Sequence, residues 1–428
     1  MRLRLVLPRR GRGRGFRRLA AAAAALAVAI AIGFAVGRVT APSPRREPER
    51  ARVAPPPAAT PTPGARVVEG DGTLAVGITE DNPAFLAGSD QPAFERWHRA
   101  LAAIRPTYYR LVVDWAKSVR PDGSFDVAHP QGGCLRALPP CAGFAGVRAQ
   151  LRAVAAAQRA APGRFRVMVV FTDTPARFAR PPGGCERADT APRSRPPRTD
   201  ALPAYQDAIH AIAAEARAAG MEIPYWSPWN EPNHPYFLSP QRTRCSPGVP
   251  SAAVGPYVEM ARAMRAVLDA EPGDQQLVLG ETAGLLRPGP TSTRLPEFIR
   301  ALPRDVACGA TVYGQHAYVG GDDPVAAVAR ALAPFRCRRT KPIWITETGA
   351  KTDRFTADAA CRGVHRRLVR WYRDPRVTAA FQYTLREDDR YPTGLVTTDL
   401  GAAYPALAEW QAWGARPDPA AAPPRPRC

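Results

Sequence analysis

Two glutamates stand out by their neighbours and by where they fall. Glu231 lies in Trp229-Asn230-Glu231-Pro232-Asn233 and Glu347 in Ile345-Thr346-Glu347-Thr348-Gly349, and each motif closes a short apolar run. The chain holds only three asparagines, Asn82, Asn230 and Asn233, and two of them flank Glu231. An amide beside a carboxylate can hold a hydroxyl by donating and accepting at once. Two carboxyl groups set across one bond are what cleavage of a glycosidic linkage requires. One protonates the leaving oxygen; in the retaining version the other attacks the anomeric carbon, with the two groups roughly 5–5.5 Å apart. Glu231 and Glu347 are 116 residues apart in the chain, so only a fold can bring them together.

The elements that could do so are legible. Eight short apolar runs occupy 73–80, 108–115, 166–175, 225–233, 276–284, 309–318, 342–349 and 378–388. Between them the apolar residues take helical spacing: Phe94, Trp97, Leu101 and Ile104; Phe144, Val147, Leu151 and Val154; Tyr205, Ile209 and Ile212; Tyr257, Met260, Met264 and Val267. Eight strand–helix units predict a (β/α)8 TIM barrel. The alternative, an open doubly wound sheet, normally carries a Gly-rich phosphate turn after its first strand, and GITEDNPAF has none. Most of the predicted strands end in polar or aromatic residues: Asp114-Trp115, Thr172-Asp173, Asn230-Glu231, Glu281, His316 with Tyr318, Glu347, and Arg386-Glu387. In barrel enzymes the site sits at that end of the strands. Strands four and seven face each other across the mouth, which would join Glu231 to Glu347.

With these residues in place the sequence resembles the clan A retaining glycoside hydrolases, the "4/7" barrels that include families 5 and 39. The resemblance covers the barrel region, about 80% of the chain. It implies that Glu231 is the acid/base and Glu347 the nucleophile. It implies that Asn230 binds the sugar 2-hydroxyl, that His316 and Tyr318 are the His-x-Tyr of strand six, and that Arg110 is the strand-two arginine near the nucleophile. The chain departs from the pattern on strand eight, where many members have a tryptophan under the first sugar. Here the strand reads Phe381-Gln382-Tyr383-Thr384-Leu385, so either Phe381 or Tyr383 stands in or the first subsite differs. No cofactor is implied.

Physical chemistry adds conditions. Glu347 must attack as a carboxylate, which an Arg110 cation and a Tyr318 hydrogen bond would favour. Glu231 must start protonated, and a setting beside Trp229 and near a second carboxylate is expected to raise its pKa. Trp115, Trp229, Tyr236 and Tyr313 are candidates to stack on sugar faces or to belong to the core. Glu281, Asp114, Asp173 and His234 are further candidates for sugar contacts, whereas His98 and His365 read as structural or surface. No HExxH, cysteine cluster or acidic loop signals a metal site, and no GxSxG elbow is present. The alternatives to a hydrolase are a transglycosidase and a barrel that binds glycans or cell-wall polymers without turning them over.

Charge and composition set the surroundings. There are 59 Lys+Arg against 38 Asp+Glu, giving +21, but residues 1–66 alone hold 14 Arg and two Glu. The remaining excess is diffuse and lacks a basic run interleaved with aromatics, so a nucleic-acid partner is not expected. At 45% hydrophobic and 23% charged the chain is of globular type. An Arg-rich segment at 1–18 precedes an uncharged run at 19–37. That arrangement predicts a transmembrane signal-anchor with 1–18 in the cytoplasm, or a cleaved signal peptide. A Pro-rich linker at 38–68, a catalytic barrel at 69–414 and a disordered tail at 415–428 complete the expected organisation. The eight cysteines fit an oxidising compartment, hence a barrel outside the cytoplasm at the cell membrane, or secreted. Cys134 with Cys141 and Cys185 with Cys245 are the expected pairs; the rest are not assigned.

Overall fold

The computed structural model describes residues 73–428 apart from position 288. Eight strands form the core: β1 (Ala75–Thr79), β2 (Tyr108–Asp114), β3 (Arg166–Thr172), β4 (Tyr225–Ser227), β5 (Gln276–Thr282), β6 (Val312–His316), β7 (Ile343–Thr348) and β8 (Val377–Tyr383). They run parallel in one closed barrel, each beside its chain neighbours, with β8 pairing β1. The connecting helices are α1 (Pro92–Ile104), α2 (Gly146–Ala160), α3 (Leu202–Ala218), α4 (Val254–Ala270), α5 (Leu295–Arg300), α6 (Arg304–Gly309), α7 (Val325–Leu332) and α8 (Ala357–Tyr372); α9 (Ala406–Gly414) follows β8. The TIM barrel expected from the sequence is thus present.

Local chemistry explains the elements. α1 starts on Pro92, whose missing N–H costs nothing at a helix start, carries Glu95 in its first turn and ends on Arg105 in the left-handed region. Phe94, Trp97, Leu101 and Ile104 form its buried stripe. Thr356 caps α8 by accepting from the Ala359 amide. One helix start differs from the spacing. Phe144 belongs to a two-residue strand with Ala145, paired to Pro130–Gln131, and α2 begins only at Gly146. Gly146 has φ +51°, and a Cβ there would meet the His129 and Val127 carbonyls, so the chain turns before the helix can start.

The barrel interior is filled from its floor. Ala75, Tyr108, Met168, Tyr225, Val278, Val312, Trp344, Ala379 and Phe381 form one buried cluster. Trp344 lies 4.6 Å, centroid to centroid, from both Tyr108 and Tyr225. This aromatic plug leaves only the mouth at the C-terminal strand ends for a site.

Four disulfides use all eight cysteines. The two expected pairs, Cys134–Cys141 and Cys185–Cys245, are both formed. Cysteine pairing on this scale belongs to an oxidising compartment outside the cytoplasm. The expected segments 1–18, 19–37 and 38–68 lie outside the described residues. Among those described, no helix is long and apolar enough to cross a membrane.

The tail corrects the reading from composition. Residues 415–428, expected to be disordered, are fastened to the barrel. The Leu74 amide donates to the Pro419 carbonyl and the Arg416 guanidinium donates to those of Leu74, Pro419 and Ala421. Arg416 also lies 4.4 Å above the Trp413 ring. The Arg427 amide donates to Glu409, and Cys428 is bonded to Cys361 on α8. Proline and alanine make the segment look like a linker; one arginine and one cysteine hold it.

Candidate active site

Strand alternation sets which side chains enter the mouth. Tyr108 is in the interior plug, so two residues on Arg110 also points inward and Trp115 points out. Arg110 is fully buried. Its Nε donates to Glu281 Oε2 at 2.8 Å, its Nη2 to Asn230 Oδ1 at 2.7 Å, and its Nη1 lies 2.9 Å from Glu347 Oε1. One guanidinium therefore ties β2, the turn after β4, β5 and β7 together.

Two acids break simple alternation because their strands are irregular. The β5–β6 register shifts between Gly280 and Thr282, which turns Glu281 inward. The β6–β7 register shifts between Gln315 and His316 and sets His316 beside Glu347. Gly314 makes room for this: a Cβ there would sit 2.5 Å from Glu281 Oε1. On β4 the chain leaves the sheet after Ser227, and Glu231 has φ +41°. The Glu231 amide donates to the Glu281 carbonyl at 2.9 Å. Asn233 fastens the same turn, donating to the Ala283 and Thr293 carbonyls and accepting from the Ala283 amide.

The reactive groups converge. His316 Nδ1 is 2.9 Å from Glu231 Oε1 and 3.2 Å from Glu347 Oε2, and its Nε2 is 3.6 Å from Glu281 Oε2. The Tyr318 hydroxyl donates to Glu347 Oε2 at 2.5 Å. One oxygen each of Glu231 and Glu347, with a His316 nitrogen, lie within 4.8 Å of one another. Glu347 is 7% exposed, so the pair is sheltered yet open to the mouth.

The charges are arranged as a network. Burial would lower His316, but Glu347, Glu231 and Glu281 around it push it up to about 10. Burial alone would raise Glu281; the Arg110 charge and then His316 bring it down to about 2. Glu231 corrects the expectation of a raised pKa. Its burial acts in that direction, but the hydrogen bond and charge of His316 outweigh it and hold the carboxyl below its ordinary value. With His316 raised and Glu231 lowered, the proton of the pair rests on the imidazole. Glu231, His316 and Glu347 also form a grouping of possible cation ligands, but His316 and Arg110 already bring two positive groups to the three carboxylates Glu231, Glu281 and Glu347. The only other such grouping among the described residues, Cys361, Glu409 and Cys428, is closed by a disulfide.

Seven of the nine expected site residues surround this centre: Glu231, Glu347, Asn230, Arg110, His316, Tyr318 and Tyr383. Tyr383 ends β8, is partly buried, and its hydroxyl is raised well above its usual range by burial and then by the Glu347 charge. Two residues are not in the site. Trp115 is fully buried, packed on Phe178 and Tyr205 at 5.6 and 5.5 Å. Trp229 is also fully buried, its indole donating to the Phe237 carbonyl. Neither can offer a face to a sugar. Tyr313 is buried as well, and Glu281 serves beneath the site rather than at it. Tyr391 was not foreseen. Its ring stands edge-on to Tyr318 at 4.9 Å with the Lys351 ammonium 4.0 Å from its centroid. It lies in the loop after β8, beyond any strand-end signal.

By sequence, no family model and no curated protein matches the chain. By structure it is similar to a family 39 β-xylosidase from Caulobacter crescentus, at 17% identity and TM-score 0.53, covering 82% of this chain and 73% of that one. It is similar to an endo-β1,6-glucanase at 12% identity and TM-score 0.54, covering 82% and 78%. A family 39 glycoside hydrolase from the gut symbiont Bacteroides cellulosilyticus matches at 14% identity and TM-score 0.50; the chain covers 65% of that protein's length, and 82% of this chain is matched. At these identities the likeness establishes the fold: a parallel eight-stranded barrel of the kind found in these hydrolases.

Proposed function

We propose that the chain is a retaining O-glycosyl hydrolase that cleaves β-linked glycans by double displacement. The observation that carries this reading is the approach of Glu231 and Glu347 to within 4.8 Å at the barrel mouth. That suits the short separation of retaining enzymes rather than the roughly 6.5–9.5 Å that leaves room for a water in inverting ones.

In this reading Glu347 attacks the anomeric carbon while the glycosidic C–O bond breaks and its oxygen takes a proton from Glu231. The proton reaches Glu231 from His316 Nδ1, leaving a neutral imidazole and a carboxylic acid with no change in net charge. Water then attacks the glycosyl ester on Glu347 and gives its proton back to the Glu231–His316 pair. Arg110 and Tyr318 hold Glu347 in place, and Asn230, anchored through its carbonyl oxygen by Arg110, keeps its amide N–H groups for the sugar. Tyr383 stands in for the strand-eight tryptophan. The hydrolase names of the structural neighbours support the reaction class. The uncharged run at 19–37 and the Pro-rich stretch at 38–68 support a barrel tethered outside the cytoplasmic membrane, which fractionation of the full chain would test.

A 2-deoxy-2-fluoro β-glycoside with a good leaving group tests the mechanism, because the fluorine slows breakdown of the ester more than its formation. Peptide mapping should find the label on Glu347, and proton NMR of an unmodified substrate should show retention at the anomeric carbon. A label on another carboxylate, or an inverted product, would remove the reading.

A further inference from the structure

Among the described residues only two large hydrophobic side chains are strongly exposed, and one of them, Tyr236 at 51%, follows Glu231 by five residues. It is not a loose surface residue. Its carbonyl accepts from Ser194 Oγ at 2.6 Å, its amide donates to His234 Nδ1 at 3.2 Å, and its ring meets Phe237 edge-on at 5.0 Å. The Trp229 indole anchors the next residue's carbonyl, and the Cys185–Cys245 disulfide ties the loop after β3 to the loop after β4. Arg193 from the former loop donates to the Tyr236 hydroxyl at 3.1 Å, with its guanidinium carbon 5.9 Å from the ring centroid. It also reaches Asp173, at the end of β3, at 3.9 Å.

We propose that Tyr236, Arg193 and Asp173 form a subsite for a saccharide leaving group, taking an uncharged sugar unit on the acid/base side of the scissile bond. The inference rests on the hydrolase reading for which side is which. Glu231 hands its proton to the leaving oxygen, so whatever that oxygen carries extends over the turn that starts at Glu231. The turn presents a fixed aromatic face, which suits the C–H face of a sugar ring. Beside it stand a donor-only guanidinium and an acceptor carboxylate, the pair needed to read hydroxyls. Arg193 and Asp173 offset each other's charge. A uronate would face Asp173, and an amino sugar would face Arg193, so a neutral unit fits best. Holding the ring in advance lowers the ordering cost of binding.

The test separates this subsite from the reaction. Xylohexaose, cellohexaose and β-1,6-linked glucohexaose are titrated calorimetrically into the Glu347→Gln protein with and without Tyr236→Ala. Kinetics on the same hexaoses and on the matching β-glycosyl fluorides, whose leaving group is a single atom, are then compared for the wild type and Tyr236→Ala. The best-bound hexaose should lose about tenfold in affinity on Tyr236→Ala and little on Tyr236→Phe. Its kcat/KM should fall at least about tenfold further than that of the fluoride. Equal affinities with and without the tyrosine ring, no binding of any hexaose, or an equal kinetic loss on both substrates would each overturn the subsite. Weakened hexaose binding without turnover by the wild type would leave the subsite standing and remove the hydrolase reading. Turnover indifferent to Tyr236 would do the reverse.

Discussion

In the proposed mechanism His316 stores the proton of the mouth, and its pH behaviour follows from its neighbours. In the fold its pKa is about 10, against 6.5 when free. Its pairing with the carboxylates therefore stabilises the fold fully below pH 6.5, and that contribution is lost as pH rises through about 10. Catalysis should follow the same group, since above that range the pair no longer holds a proton to give. Replacing His316 with Asn removes the cation that keeps Glu231 low, so burial then governs Glu231 and the basic limb of the pH profile belongs to that carboxyl alone. The expected outcome is a basic limb moved toward acid and kcat/KM at the optimum lowered by about tenfold or more, read from rates on an aryl β-glycoside across pH. An unmoved limb would show that His316 does not store the proton. At this scale the sequence was informative about identity and poor about surroundings. The Asn-Glu-Pro and His-x-Tyr motifs pointed to residues that do meet. Trp115 and Trp229 looked equally suited to sugars, yet alternation counted from Arg110 already turns Trp115 away from the mouth.

Elements place these residues through their irregularities. Glu281 and Glu347 turn toward the barrel axis because their strands slip register against β6, and no period-two pattern contains such a slip. The glycine at 314 is part of that device. Gly314→Ala would put a methyl carbon 2.5 Å from Glu281 Oε1 and force the carboxylate off Arg110. We expect kcat/KM to fall by about a hundredfold through misplacement of Arg110 and Glu347. Unfolding free energy should drop by up to about 3–5 kcal/mol, because a buried charge loses its partner. Denaturant titration alongside kinetics checks both, and a variant with wild-type values in each would show that Glu281 has room to move. Strand positions were the most legible part of the fold. Seven of the eight apolar runs contain a barrel strand, the eighth strand starts one residue before its run, and the buried stripes of α1, α3 and α4 fall where the spacing put them. Helix starts were less so, as at Phe144, because the turn at Gly146 depends on carbonyls of a distant loop.

At the scale of the whole molecule, covalent and polar ties close the barrel from outside. The tail packs beneath β1 and returns to α8, where Cys428 meets Cys361 and Arg427 meets Glu409. The link spans 67 residues, so cutting it with Cys361→Ser and Cys428→Ser should cost about 2–4 kcal/mol of stability. Activity at low temperature should be retained, because none of the bonded residues touches the mouth. Thermal unfolding followed beside activity tests this, and unchanged stability would mean that the strap is held by Arg416 and Glu409 alone. Composition could not show the strap, since Pro- and Ala-rich stretches look alike whether tethered or free. Glu231 and Glu281 both sit at positive φ, 41° and 50°, where a side chain costs of order 1–3 kcal/mol and glycine costs little. Robustness by itself would prefer a residue without a side chain at either place. In the proposed reading, a carboxyl group at such a torsion marks ground where the molecule gives up sturdiness for work.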